Sequence, residues 1–432
     1  MSDSKDATSL DDKGTTCATC GTPATNKCAG CKASTYCGKG CQTKDWPAHK
    51  SICKDLQVQG QLARVAELVH GAYLTFRENT WDTTIIKIED RDDALVIHDG
   101  DPWTNPQGFS KFPHDLIPKN KRAKLGVLTA WTCDEPFAFM NTLMIKLLQG
   151  ERLHSTSNYD TNPCTGLNVD IEEIGVNFKA VPRKTIAIHH QTGEPHSNWP
   201  DYQHTMLRLT SRKSRKQWVM DLAGGQYGIT EPLHAWTKYK ENYVEKVVSV
   251  YEVGANKRII AEVAKISGIP TLSYGLAGRA AEQVDEAIDT WETEHQPLST
   301  LKALSDTDFH QQKTLLLHSI DEVVRTFIAS NDFSAVVRKA KADDSPINNH
   351  IIMTRIQKLS SKKNLLLQKT LDKPSPIDRL CGDFGAKYSY HDGAGDDEAL
   401  RRAKEKGLHH VELGGSDNKS GKTHHIFFDD LF

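Results

Sequence analysis

The feature that most limits how this chain can fold is a spacing of ligand residues: Cys17-x2-Cys20-x7-Cys28-x2-Cys31-x5-Cys37-x3-Cys41-x7-His49-x3-Cys53. Seven of the ten cysteines fall within these 37 residues, and one histidine completes a set of eight. Zinc takes four soft or borderline ligands at tetrahedral corners, and a Cys-x2-Cys knuckle supplies two of them from one tight turn. Eight ligands in four pairs therefore predict two zinc ions with closed, structural coordination, because a catalytic zinc leaves one position to water. The last pair, His49 and Cys53, is four residues apart, which puts both ligands on one face of a helical turn. A disulfide framework is the competing explanation. It needs an oxidising compartment, and the polar start of the chain, MSDSKDATSLDDKG, has no apolar core of the kind a signal peptide carries.

Residues between the ligands narrow the class. The stretch Tyr36-Cys37-x3-Cys41-Gln42-x2-Asp45-Trp46-x2-His49-x3-Cys53 resembles the MYND-type zinc finger, with every ligand position filled. Spacing alone leaves sequential and interleaved pairing open. The resemblance implies a cross-brace, with Cys17, Cys20, Cys37 and Cys41 on one zinc and Cys28, Cys31, His49 and Cys53 on the other. It also implies use as a docking site for short proline-containing peptides, in a groove that includes Gln42 and Trp46. Trp46 has a plainer reading as well, the hydrophobic plug of a module too small for a core.

Composition excludes some classes. The 54 basic and 56 acidic residues leave a net charge of −2, so no global field draws the chain to nucleic acid or an anionic membrane. No run of 18 apolar residues occurs, so no membrane span is expected. Seven thiolates reserved for zinc imply a reducing compartment, an intracellular setting in nucleus or cytoplasm. The basic run Arg212-Lys213-Ser214-Arg215-Lys216 reads as a solvated hairpin turn in preference to a nuclear signal.

Downstream of the finger, Leu62, Val65, Leu68, Val69, Ala72, Tyr73 and Phe76 recur at helical steps and predict a helix from about Gln61 to Arg77. Thr84–Ile88 and Ala94–Ile97 predict a hairpin, followed by a loop over residues 100 to 120. Asp134-Glu135-Pro136 marks a helix start, with the helix running to Gln149. Val176–Val181, Thr185–Ile188, His204–Thr210 and Gln217–Leu222 read as strands. From about Glu231 the pattern turns helical: Val244, Val247, Val248 and Tyr251 mark one helix, Ala281 to Trp291 another, and Leu316 to Phe327 a third. The expected fold class is α+β. It comprises a disordered start (residues 1–15), a double-zinc finger (16–54), an α+β domain with antiparallel strands (55–231), a mostly helical region (232–375) and a partly disordered tail (376–432).

A second constellation lies in the α+β unit. Cys133 precedes a helix whose N-terminal dipole would lower a thiol pKa. His204 opens one strand and Asp221 closes the next, so the two can hydrogen-bond across a hairpin. Cysteine at a helix start, then His, then Asp on successive strands, resembles the order in transglutaminase-like and papain-like thiol enzymes. That resemblance implies a hydrolase or acyltransferase in which the finger recruits substrate. Cys164 competes as nucleophile, and Cys133 reads equally as a buried small hydrophobe. The Asn-His-x-Cys element of SET methyltransferases is absent, and Asn349-His350-Ile351-Ile352 lacks the cysteine. The adjacent pairs His189-His190, His409-His410 and His424-His425 would have diverging rings on regular structure, which argues against metal binding there. The Thr75–Thr80 and Trp218–Gly228 stretches resemble fungal MYND-containing proteins, a likeness reaching about residue 230. The leading functional expectation is an interaction adaptor that captures a proline-containing peptide, without direct nucleic-acid or membrane binding.

Overall fold

The computed structural model describes residues 16–149, 167–371, 409–413 and 424–428. The expected disorder at residues 1–15, most of the 376–432 tail, and Cys164 lie outside the described residues. The short strands β1 (Asn26–Lys27) and β2 (Thr35–Tyr36) pair antiparallel and lead into a 41-residue helix, α1 (Lys39–Asn79). Sequence reading places a separate helix near Gln61, but α1 is continuous from the finger into the body. The two apparent breaks, Pro47 and Gly60, both lie inside it. One glycine weakens a helix by only about 1 kcal/mol. The stripe Leu62, Val65, Leu68, Val69, Ala72, Tyr73 and Phe76, at most 1 % exposed, far outweighs that.

After α1 come the antiparallel hairpin β3 (Thr83–Asp90) and β4 (Ala94–Pro102) and the helix α2 (Lys121–Leu128). Asn120 caps α2, its side-chain oxygen accepting from Ala123 N at 2.6 Å. The helix expected over residues 135–149 is two helices, α3 (Glu135–Phe139) and α4 (Asn141–Gln149), with Met140 out of helical geometry at φ −102°, ψ 17°. Asp134 makes no capping hydrogen bond.

Strands β5 (Val169–Phe178), β6 (Lys184–His189), β7 (Pro195–Ser197), β8 (His204–Ser211), β9 (Gln217–Met220) and β10 (Leu233–Ala235) follow, then α5 (Trp236–Asn242) and β11 (Val244–Glu252). They build two sheets. One is five-stranded and antiparallel throughout, in the order β10-β9-β8-β5-β11; the other runs β3-β4-β6-β7, with β4 and β6 parallel. Residues 244–252 are thus an edge strand and not the helix their apolar spacing predicts. Register shifts between Val244 and Lys246, and between Val247 and Ser249, break the two-residue alternation. Such bulges let residues three apart face one side of a sheet, which imitates helical periodicity. Because β10 and β11 join this sheet, it draws strands from both sides of residue 231.

The helices α6 (Ala255–Val263), α7 (Ile269–Glu294), α8 (Leu298–Leu301), α9 (Asp306–Ser330), α10 (Ser334–Ala342) and α11 (Pro346–Leu371) complete the body. The main core joins α1, α4, one face of the five-stranded sheet, α7 and α9, with Phe76, Leu143, Leu209, Val284 and Ile320 among its buried members. Helix α9 lies so close to α1 that a Cβ on Gly71 would sit 3.1 Å from Leu317 Cδ1. Polar ties reinforce this contact: Arg64 donates to Asp306, and Asn79 Nδ2 donates to Asp321 at 2.8 Å. Met1–His190 and Pro195–Asn364 form one compact unit. A second unit, residues 191–194 and 365–432, contains the antiparallel pair β12 (His409–Leu413) and β13 (His424–Phe428).

Candidate metal centre

The eight predicted ligands gather into two quartets, Cys17/Cys20/Cys37/Cys41 and Cys28/Cys31/His49/Cys53, each with its ligand atoms within 4.8 Å of one another. This is the interleaved, cross-brace pairing. In the first quartet Cys20 and Cys37 Sγ are 3.6 Å apart, Cys37 and Cys41 3.4 Å, and Cys41 and Cys20 3.7 Å. In the second, Cys28 and Cys53 Sγ are 3.7 Å apart, and Cys31 Sγ lies 3.6 Å from His49 Nε2. Tetrahedral zinc with Zn–S bonds of about 2.3 Å has corners about 3.7 Å apart. The residues present therefore fit two Zn²⁺ ions, each fully coordinated.

Local backbone explains the placement. Each Cys-x2-Cys knuckle is closed by a residue with positive φ, Gly21 at 73° and Lys32 at 56°, whose N–H returns to the carbonyl of Cys17 or Cys28. Inside the second knuckle a Cβ on Gly30 would lie 3.0 Å from Cys53 Sγ and 2.4 Å from Gln57 Nε2, so that position has no room for a side chain. Helix α1 carries Cys41, His49 and Cys53, with His49 and Cys53 one turn apart and buried. Supporting contacts surround the ligands: Ser34 Oγ is 3.5 Å from His49 Nδ1, Gln57 Nε2 donates to Cys53 Sγ at 3.4 Å, and Tyr36 donates to Asp45 at 2.7 Å.

Electrostatics demand a cation. Backbone N–H groups of Cys37 and Cys20 hold the Cys17 thiol down to about 6. Cys41 is pushed up to about 12 by its hydrogen-bonded sulfur neighbours Cys37, Cys20 and Cys17. Burial and the adjacent Cys28 push Cys53 up to about 11. Sulfurs this close cannot all ionise on their own, and a divalent ion at the centre removes the conflict.

On the outer side of α1, Trp46 is 42 % exposed and Gln42, one turn earlier, is half-buried. The indole ring centroid lies 6.1 Å from that of His49.

The second constellation comes together in part. His204 Nε2 and Asp221 Oδ1 are 2.7 Å apart and fully buried, as the hairpin argument predicts. Asp221 also accepts from Tyr239 Oη at 2.7 Å and from Ala223 N at 3.3 Å. Burial drives the Asp221 carboxyl upward, but His204 and the Tyr239 hydroxyl hold it below its usual range. Cys133 stands apart. Its sulfur contacts the Gln203 carbonyl at 3.9 Å, while His204 Nδ1 is buried with no hydrogen-bond partner. The expectation that a helix start activates this thiol fails for two reasons. Helix α3 has only five residues, and desolvation of the half-buried thiol together with the neighbouring Asp134 charge raises the Cys133 pKa above its ordinary value. Tyr239 was not legible as a partner of Asp221, since its segment carries no signal of its own.

Residues 17–53 match the family model of the MYND finger. The chain is 45 % identical over 69 residues to the SET domain and MYND-type zinc finger protein 6 of Schizosaccharomyces pombe, a stretch that covers 15 % of this chain and 14 % of that one. It is 51 % identical over 55 residues to the Zinc finger MYND domain-containing protein 10 homolog of Drosophila melanogaster, 12 % of each chain. Tudor domain-containing protein 1 of Mus musculus shares 40 % identity over 45 residues, 10 % of this chain and 4 % of its own length. No solved structure matches the chain. Residues 17–53 thus form a MYND-type finger, a zinc-binding module within the chain. The matched stretches span at most 14 % of those relatives, so the finger is what the chain has in common with them.

Proposed function

We propose that this chain is an interaction adaptor whose finger captures a proline-containing peptide, while the α+β and helical body holds the finger in place and offers a surface to a second partner. The observation that carries this reading is the exposed indole of Trp46 beside the Gln42 amide on one face of α1. A polyproline-like ligand needs an aromatic surface for its rings and a donor for carbonyls that it leaves unpaired. Two further observations support a protein partner over nucleic acid. Net charge is −2, and part of the basic hairpin between β8 and β9 is paired within the protein: Lys216 with Asp55 at 3.0 Å and Arg212 with Asp170 at 2.7 Å. A reducing compartment, nucleus or cytoplasm, suits seven ligand thiols. No helix among the described residues is long and apolar enough to cross a membrane.

The test is titration of wild-type, Trp46→Ala and Gln42→Ala protein with a proline-containing peptide, alongside a zinc assay. Weakened capture by Trp46→Ala with both zinc ions retained supports the docking role. Loss of zinc makes the indole a plug, and unchanged affinity moves the groove elsewhere.

The thiol-enzyme reading keeps one observation in its favour, the buried His204–Asp221 pair with a free imidazole nitrogen. Against it stand the raised Cys133 pKa and the missing Cys133–His204 hydrogen bond. On this balance the pair serves the packing of the sheet.

A further inference from the structure

Sequence reading dismisses His189-His190 as a ligand pair, because adjacent rings diverge along a regular strand. The structure places them otherwise. Strand β6 ends at His189, the chain turns at His190, and the two ring centroids are 4.9 Å apart at an interplanar angle of 52°. The turn is fixed by His190 N, which donates to the Asp99 carbonyl at 2.9 Å. Parallel pairing of β4 with β6 sets Asp99 directly opposite His189. Two residues on, at a register shift in the β3–β4 ladder, Asp101 places its Oδ1 3.5 Å from His189 Nε2.

We propose that Asp101, His189 and His190 form a third metal site, unrelated to the finger, that binds a divalent first-row cation of the zinc type. One ligand atom from each lies within 4.8 Å of the others. Tetrahedral bonds of about 2.0–2.1 Å to imidazole nitrogen or carboxylate oxygen give corners about 3.4 Å apart, which matches the Asp101–His189 separation. An independent observation points the same way: His189 Nδ1 and Asp99 Oδ1 are both buried without hydrogen-bond partners. A metal-bound histidine keeps its proton on the other ring nitrogen and presents it to a carboxylate. Asp99 lies across the ladder from His189, with the two side chains not hydrogen-bonded to each other. Three protein ligands at the ends of two interior strands, two of them exposed, leave at least one coordination position to solvent. The site is therefore open and weaker than the closed finger quartets.

The test uses the full chain with its finger saturated by two zinc ions, titrated with Co²⁺ under non-reducing, metal-buffered conditions. One further equivalent should bind with visible d–d absorption and without the thiolate-to-cobalt charge-transfer band that exchange into the finger would produce. His190→Ala and Asp101→Asn change exposed side chains, and each should weaken this uptake at least about tenfold. His98→Ala, on the same strand but paired with Glu89, should leave it unchanged. Far-UV circular dichroism checks that the variants fold, and the wild-type stoichiometry stands without them. No third equivalent at millimolar free cobalt overturns the proposal. So does uptake accompanied only by the thiolate band, or uptake that survives the His190→Ala/Asp101→Asn double variant.

Discussion

Residues 17–53 and the body that follows share one helix and solve the problem of stability in opposite ways. The finger buries Cys17, Ala24, Cys28, Tyr36 and Cys53, and three of those five are themselves metal ligands. Further along the same helix, Leu62 to Phe76 enter a core built with α4, α7, α9 and a sheet face. Apolar burial of that extent folds a domain without help, while a module of the finger's size has too little core. Its order therefore rests on coordination. Polar chemistry is specific where it is scarce: the finger's few contacts are all at fixed positions, and the body's many contacts are individually replaceable.

The sharpest way to break this comparison is chelation. Removing zinc withdraws roughly 10–16 kcal/mol from a structural zinc module. Residues 17–53 should then lose protection in hydrogen exchange, while the body retains a cooperative thermal transition. Because α1 is shared, the boundary should fall within the helix, between Cys53 and Leu62. Loss of the body's transition on chelation would mean that the two regions are one cooperative unit.

The converse experiment removes packing and keeps metal. Phe76 is fully buried, its ring centroid 5.4 Å from that of Phe139 at a tilted angle of 42°. Phe76→Ala should destabilise the body by about 3–5 kcal/mol, read by denaturant unfolding, with zinc content unchanged at two per chain. The proposed docking face comes next in size. Trp46→Ala should weaken peptide capture by about 2 kcal/mol, about thirtyfold in Kd, and Gln42→Ala by about 0.5–1.5 kcal/mol. Both should leave the thermal transition of the body in place.

Acid sharpens the comparison differently. The Asp221 carboxyl is depressed in the fold, so its stabilisation is complete above the ordinary carboxylate pKa and is lost as pH falls through the lower folded value. Cysteine and histidine ligands take up protons in competition with zinc at higher pH than that. On acidification, zinc release should thus precede unfolding of the body, followed by a zinc-sensitive dye and by circular dichroism in one titration. The smallest expected effect is kinetic. Cys133 should react with iodoacetamide at neutral pH more slowly than an unstructured cysteine peptide, because burial and Asp134 disfavour its thiolate. Rapid labelling that His204→Ala slows would restore the thiol-enzyme reading.

The contrast also accounts for what could be read from the sequence. Cys17 to Cys53 were legible because few residue types ligate zinc and each must sit at a set spacing. The buried stripe of α1 was legible for the same reason, a strict period. Its length was not, because the apolar period begins only at Leu62 and the polar stretch before it carries no mark that the helix continues into the finger. Val244, Val247 and Val250 pack on the sheet, but bulges gave their strand a helical rhythm. Helix α2 had a usable signal in Asn120 that apolar periodicity alone did not bring out. His204 and Asp221 were paired correctly from hairpin logic, whereas Cys133 depended on the length of a helix that stops at Met140.

Since α1 runs unbroken from Lys39 to Asn79, the direction in which Trp46 points is a matter of angular phase. Each residue of helix turns the chain by about 100° and advances it about 1.5 Å. One residue inserted between Cys53 and Leu62 would leave both zinc quartets and the buried stripe from Leu62 to Phe76 with their own sequences unchanged, yet swing the indole by more than a quarter turn about the helix axis. Seven residues, about two full turns, would bring it back to nearly the same bearing, about 10 Å farther out. The stretch from Lys54 to Gln61 thus behaves as a dial whose setting is written in its length and held by Asp55, Gln57 and Val58.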